Sequence, residues 1–231
     1  ADEVEAARRD LPEQTYAQEY EAQFIADGTG VFRKVLECAT ATPADPVAGQ
    51  TYVMGVDWGK HQDFTVLSVL DVGRRVQVAQ ERFNRIEYPF QLARLKVLAE
   101  RYQPVMILAE RNSIGDALVD TLRRERLPVY GWVASNATKH IAIEALALAF
   151  DRRRLTILND RMLVGELLAY RAERLPGGML RYSAPEGMHD DRVMSLALAV
   201  WGATIPIPID WVQHNPRFAN REQEGEIYQT S

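Results

Sequence analysis

The chain reads as an α/β domain on one mixed sheet, with three antiparallel strands followed by parallel strands, helices on both faces, and a projecting hairpin. Three observations carry that reading. Three β-rich runs, 51–57, 64–72 and 74–83, follow one another closely, with Asp71-Val72-Gly73 as a tight hairpin signal between the last two. From Tyr88 onward, segments with helical spacing alternate with short apolar runs. A hydrophobic content of 47% in 231 residues is enough for a sizeable core.

The elements follow in order. Phe90, Leu92, Leu95, Leu98 and Ala99 give 88–102 a helical stripe, which Pro104 ends. Residues 105–109 are a short buried strand. The next helix spans 113–126, with Ser113 as its N-cap and Asp116 in its first turn. A strand at 128–133, a helix at 136–150, a strand at 155–158 and a helix at 160–170 come next. Residues 171–184 contain Pro176-Gly177-Gly178 and form the hairpin. A strongly apolar helix covers 190–201 until Pro206 and Pro208. Residues 1–50 read as a lead-in and linker, so the core is expected to open near Thr51 and close near residue 205. Residues 206–231 read as a polar tail.

Charge is unevenly spread. The net charge is −5, but residues 1–50 hold ten acids and four bases, so the remaining 181 residues sum to +1. That body carries the runs Arg123-Arg124-Glu125-Arg126 and Arg152-Arg153-Arg154, which are solvated helix ends or backbone contacts to a nucleic acid. The single Cys38 excludes an internal disulfide and a cysteine-based zinc site. The apolar runs are too short or too charged for a membrane span, and no signal peptide is expected.

Against this layout the acids stand out. Asp57 ends the first strand, Glu110 ends the fourth, and Asp190-Asp191 open the last apolar helix. If the first and fourth strands are neighbours, and the final helix packs beside them, these acids converge at one end of the sheet. Clustered carboxylates repel and take up protons unless a cation compensates. Oxygen donors in this number suit a hard divalent ion such as Mg²⁺ or Mn²⁺. Each acid also has an ordinary role open to it. Asp57 can bond a turn, Asp63 can be a loop acid, and Glu110 can pair with Arg111 or Arg101. One of Asp190 and Asp191 can be a helix cap.

The element order is that of the ribonuclease H-like fold. The motifs "GVDWGKHQDFTV", "LAERNSIGDALVDTL", "NATKHIAIEALALAF" and "SAPEGMHDDRVMSLALAV" resemble the nuclease domain of the large terminase subunit of tailed bacteriophages. The resemblance runs over roughly residues 51–203, and the lead-in is similar to the end of the family's ATPase domain. It implies a metal-dependent endonuclease that cuts concatemeric double-stranded DNA with two divalent ions, Mg²⁺ or Mn²⁺. By motif position Asp57, Glu110 and Asp191 match the metal-binding acids, Asp190 an auxiliary acid, and Asp63 a further one. Lys139 and Arg181 are the candidate DNA-backbone contacts. The implied partners are DNA, the ATPase domain, the portal and the small terminase subunit, in the host cell cytoplasm and with no membrane. The string from Gly55 to His61 lacks one residue between its glycines and ends in His where a phosphate loop needs Ser or Thr, so no ATPase activity is expected of this chain. A resolvase-like or other ribonuclease H-like nuclease would use the same acids. An actin- or sugar-kinase-like ATPase would need a nucleotide loop that is not evident here. A docking module without catalysis would not need the acids.

Overall fold

The computed structural model describes residues 30–59, 63–112, 114–174 and 180–205, with Glu5, Arg8 and Tyr16 besides. Most of the lead-in before residue 30, Ser113, the Pro-Gly-Gly tip and the polar tail lie outside these residues.

Five strands form the central sheet. They are β2 (Tyr52–Asp57), β3 (Thr65–Asp71), β4 (Val76–Phe83), β5 (Met106–Glu110) and β6 (Val129–Trp132), in spatial order β4-β3-β2-β5-β6. The first three are an antiparallel meander, because the connections are hairpin-short. At the β3–β4 turn, Asp71 Oδ1 accepts the Arg74 N–H at 3.0 Å. β5 pairs parallel to β2, and β6 parallel to β5, each after a helical crossover. The neighbour relation that convergence of the acids requires is therefore met.

The crossover helices are α2 (Tyr88–Tyr102) and α3 (Ile114–Arg124), which cover one face of the sheet through Leu95, Leu98, Val119 and Leu122. The other face is covered by α4 (Asn136–Asp151) and α6 (Asp191–Gly202), with α5 (Arg161–Ala169) packed against α6. α6 is buried along nearly its whole length, as expected of a helix with an almost continuous apolar run. Its closest approach is to β2 at Gly55. A Cβ built there would lie 2.1 Å from the Ser195 carbonyl oxygen and 2.5 Å from the Ala199 nitrogen. Only glycine admits the helix that closely. Ser195 Oγ donates to the Gly55 carbonyl across the contact at 3.1 Å.

The hairpin is β8 (Arg171–Arg174) against β9 (Leu180–Ser183), paired antiparallel. Asn136 Nδ2 donates to the Leu180 carbonyl at 3.0 Å and ties the hairpin to the start of α4.

The packed body opens earlier than Thr51. Val31, Phe32, Val35, Cys38 and Ala39 are buried in the same apolar cluster as α4 and α6. A short helix, α1 (Val35–Cys38), leads into β1 (Ala39–Ala41), which pairs parallel to β7 (Ile157–Leu158). Phe32 stacks on Tyr170 at 5.6 Å between ring centroids. Apolar residues at 31, 32, 35 and 38 have helical spacing, but Gly28, Gly30 and the Thr-Ala-Pro composition that follows conceal it.

Candidate active site

Three elements deliver the acids to one end of the sheet. Asp57 is the last residue of the central strand β2 and is opposite Val66 of β3. Glu110 is the last residue of β5, one strand away, and is opposite Trp132. Gly115 lets the first turn of α3 settle on the Glu110 backbone, since a Cβ there would meet the Glu110 carbonyl oxygen at 2.3 Å. Asp190 is the N-cap of α6 and Asp191 its first residue. The close approach at Gly55 sets that helix start beside the end of β2.

The electrostatics report the convergence. Burial pushes the Asp57 carboxyl well above the usual carboxylate range. Glu110, Asp191 and Asp190, in that order, push it further, and the Lys139 ammonium opposes them. Asp191 is raised to about 6, first by burial. His189 pulls it down, while Asp190 and Asp63 push it up. Asp191 Oδ2 is buried without a hydrogen-bond partner and lies 3.6 Å from His189 Nδ1. Beneath the cluster Tyr170 is fully buried. Burial, then the charges of Asp190 and Asp57, raise its phenol far above the ordinary range.

The other sequence candidates are placed as follows. Lys139 stands in the first turn of α4, behind a capping box made by Ser135 and Thr138. Its Nζ is 3.0 Å from Asp190 Oδ2 and 5.8 Å from the Tyr170 ring centroid. Asp63 is exposed and acts on Asp191 through its charge alone. Arg181 is exposed on β9 and pairs with Glu173 of β8 at 2.7 Å. Arg111 pairs with Asp116 and Arg101 with Asp45. Both arginine runs lie at the far end of the sheet. Arg123 Nε donates to the Val129 carbonyl at the start of β6. Arg152 and Arg154 line a cleft with Leu70, Val72 and the end of α6.

Two features escaped the sequence. Glu166 of α5 is buried beside Arg82 and Arg192, 3.9 and 3.8 Å away, and burial raises it to about 7. A lone acid in the apolar helix pattern "RMLVGELLA" was its only signal. The Arg82 guanidinium lies 3.3 Å from the Phe64 ring centroid, and Phe64 meets the His189 ring edge-on at 5.2 Å.

The donor set fits a hard divalent ion. It is all oxygen, it is mutually repulsive, and one of its oxygens is buried and unpartnered. The carboxylates are near enough to raise Asp57 and Asp191 without closing about one point. Among the described residues, no three His, Cys, Asp or Glu side chains form a group that could hold an ion as they stand.

Residues 54–201 match the family model of the terminase RNase H-like domain. The chain belongs to that family. Its RNase H-like fold bears the match out. The large terminase subunit of Thermus virus P23-45 is 32% identical over 200 residues, which are 82% of this chain and 41% of the relative. The Thermus phage G20c large subunit matches to the same extent. The chain thus spans about two fifths of the length of these curated relatives. The solved large terminase nuclease of phage G20c with bound magnesium superposes with a TM-score of 0.70 at 30% identity, covering 76% of this chain and 98% of that one. This terminase segment therefore corresponds to the nuclease domain of a large subunit. The large terminase nuclease domain of Thermus phage P74-26, at 30% identity and a TM-score of 0.66, matches over 74% of this chain and 94% of its own.

Proposed function

We propose that this domain is a metal-dependent endodeoxyribonuclease that cuts concatemeric double-stranded DNA during packaging. The convergence of Asp57, Glu110, Asp190 and Asp191 from three separate elements carries the reading. The G20c nuclease, a relative of nearly the same extent, binds magnesium in one structure and cobalt in another.

Asp57, Glu110 and Asp191 would hold two Mg²⁺ or Mn²⁺ ions, with Asp190 as an auxiliary ligand and Asp63 at the margin. Such a pair supplies an activated water and a stabilised leaving oxygen for phosphodiester hydrolysis. The protein's own part is placement. Strand ends β2 and β5 hold Asp57 and Glu110 on rigid backbone. Lys139 holds Asp190 and offers a cation to a backbone phosphate, as does Arg181 at the hairpin. The N-termini of α3, α4 and α6 point their positive ends at the same place, which favours an anionic substrate. Sequence preference is weak, since among the described residues no strand or helix is presented as a base reader. ATP hydrolysis belongs to the ATPase domain of the whole subunit, which also meets the portal and the small subunit in the host cytoplasm.

The test is plasmid nicking beside melting curves. Mg²⁺ or Mn²⁺ supports cleavage and EDTA abolishes it. Asp57→Asn abolishes cleavage and melts at an equal or higher temperature in EDTA, because it removes repulsion at nearly constant volume. Cleavage in excess chelator, or a destabilised Asp57→Asn protein that still nicks at the wild-type rate per folded molecule, overturns the reading.

A further inference from the structure

We propose that Glu166 is a positioning residue that caps the start of α6 from a different helix and so releases Asp190 from capping duty into the acid cluster. The inference rests on the reading of Asp190 and Asp191 as site acids.

The first N–H groups of a helix have no acceptor within the helix. The N-cap side chain usually supplies one. α4 and α5 follow that rule, with Ser135 accepting from the Thr138 N–H and Asp160 from the Leu163 N–H. α6 does not. Its N-cap, Asp190, is a residue type that caps well, yet it makes no cap bond. Asp190 Oδ2 pairs instead with Lys139. The acceptor comes from 26 residues away, where the Arg192 N–H donates to Glu166 Oε2 at 3.0 Å.

Glu166 is built into this place. It is only 5% exposed, inside the apolar contact between α5 and α6. Its other oxygen, Oε1, faces Arg82 Nη2 at 3.9 Å and Arg192 Nε at 3.8 Å, and makes no hydrogen bond. Those distances are ion-pair distances, so among the described residues the one directional bond Glu166 makes is to the helix start. That N–H belongs to the residue directly after Asp191. The bond therefore fixes the backbone that carries both acids. Without Glu166, the exposed N–H would recruit the nearest good cap, which is Asp190, and draw it from Lys139.

Two roles are separable. If Glu166 only neutralises Arg82 and Arg192, a shorter acid serves as well. If it caps α6, reach matters. Amide hydrogen exchange of the full chain in EDTA, without DNA, reads the difference at the Arg192 amide, with Ala197–Val200 as internal control. Glu166→Ala and Glu166→Asp are expected to speed Arg192 exchange about tenfold and leave the control amides unchanged. Glu166→Gln keeps an acceptor oxygen and restores protection. Asp190→Ala alone leaves Arg192 exchange unchanged, and added to Glu166→Ala it speeds exchange further. If Glu166→Ala does not fold, Glu166→Asp carries the same test. Unchanged Arg192 exchange in Glu166→Asp, or acceleration by Asp190→Ala alone, overturns the proposal. Neither metal nor DNA is present, so this outcome stands apart from whether the domain cuts DNA, which Asp57→Asn decides.

Discussion

The two ends of the central sheet are charged in opposite senses for different reasons. At the far end stand Arg75, Arg123, Arg124, Arg126 and Arg152 to Arg154. Most of them follow helix C-termini, where cations complement the helix dipole. Several are satisfied locally, with Arg124 Nε bonding the Asp120 carbonyl and Arg153 pairing with Glu37 at 2.6 Å. At the near end the acids come from β2, β5 and α6, and Glu110, Asp191 and Asp190 each raise the pKa of Asp57. Local chemistry accounts for the arginines. It does not account for the acids, which stand together only because the fold gathers them. Charge explained by its own helix marks structure; charge that neighbours oppose marks a site.

Three outcomes would break or sharpen that contrast. The largest effect is expected from Gly55→Ala. Its methyl group has no space against the α6 backbone, so the helix must lift from β2. A loss of about 3 kcal/mol, the upper end for an overpacked contact, is expected, with cleavage per folded molecule also falling because Asp191 shifts relative to Asp57. Denaturant melts with a nicking assay check it. Full activity per folded molecule would mean that this approach does not set the site.

The second is a pH dependence in metal-free protein. Asp191 has its carboxyl raised from 3.8 to about 6, chiefly by burial. Between those values the folded state holds a proton that the unfolded chain has released. Stability from this group is therefore full below about pH 4 and is lost as pH rises through 6. Asp191→Asn removes the dependence, so its advantage over wild type in EDTA grows from pH 4 to pH 6 and then levels. The ceiling is on the order of 2–3 kcal/mol. An advantage that shrinks over that range would show Asp191 to be stabilised by its surroundings.

The smallest effect is expected at the far end. Arg126 and Arg154 are exposed. Replacing both with Ala should shift stability by less than about 0.5 kcal/mol per site and leave nicking and its salt dependence unchanged. A reduced salt slope would bring DNA to this end.

Much of the layout was legible because its signals are local. The 88–102 stripe gives α2 with the bounds the structure shows, and the apolar run before Asp57 gives β2. Asp57, Glu110, Asp190 and Asp191 are visible because each ends or opens an apolar run, where a carboxylate is costly. What escaped is non-local. β1 exists only because β7 pairs with it across more than a hundred residues, and three residues in a Thr- and Ala-rich stretch carry little signal. Glu166 gave no distinctive signal, since its partners lie on β4 and α6. Lys139 read as a DNA-backbone contact, and its pairing with Asp190 was hidden because nothing in sequence places α4's first turn against α6's.

The contact at Gly55 has a mechanical consequence. A helix normally rests on a sheet through a layer of side chains, and that layer is compliant. Here it is reduced to a single hydrogen atom, bridged by the Ser195 hydroxyl. β2 and the first turns of α6 therefore move as one stiff member. Repacking elsewhere in the core can tilt α2 or α4 against the sheet, but the gap between the end of β2 and the start of α6 has almost no freedom to change.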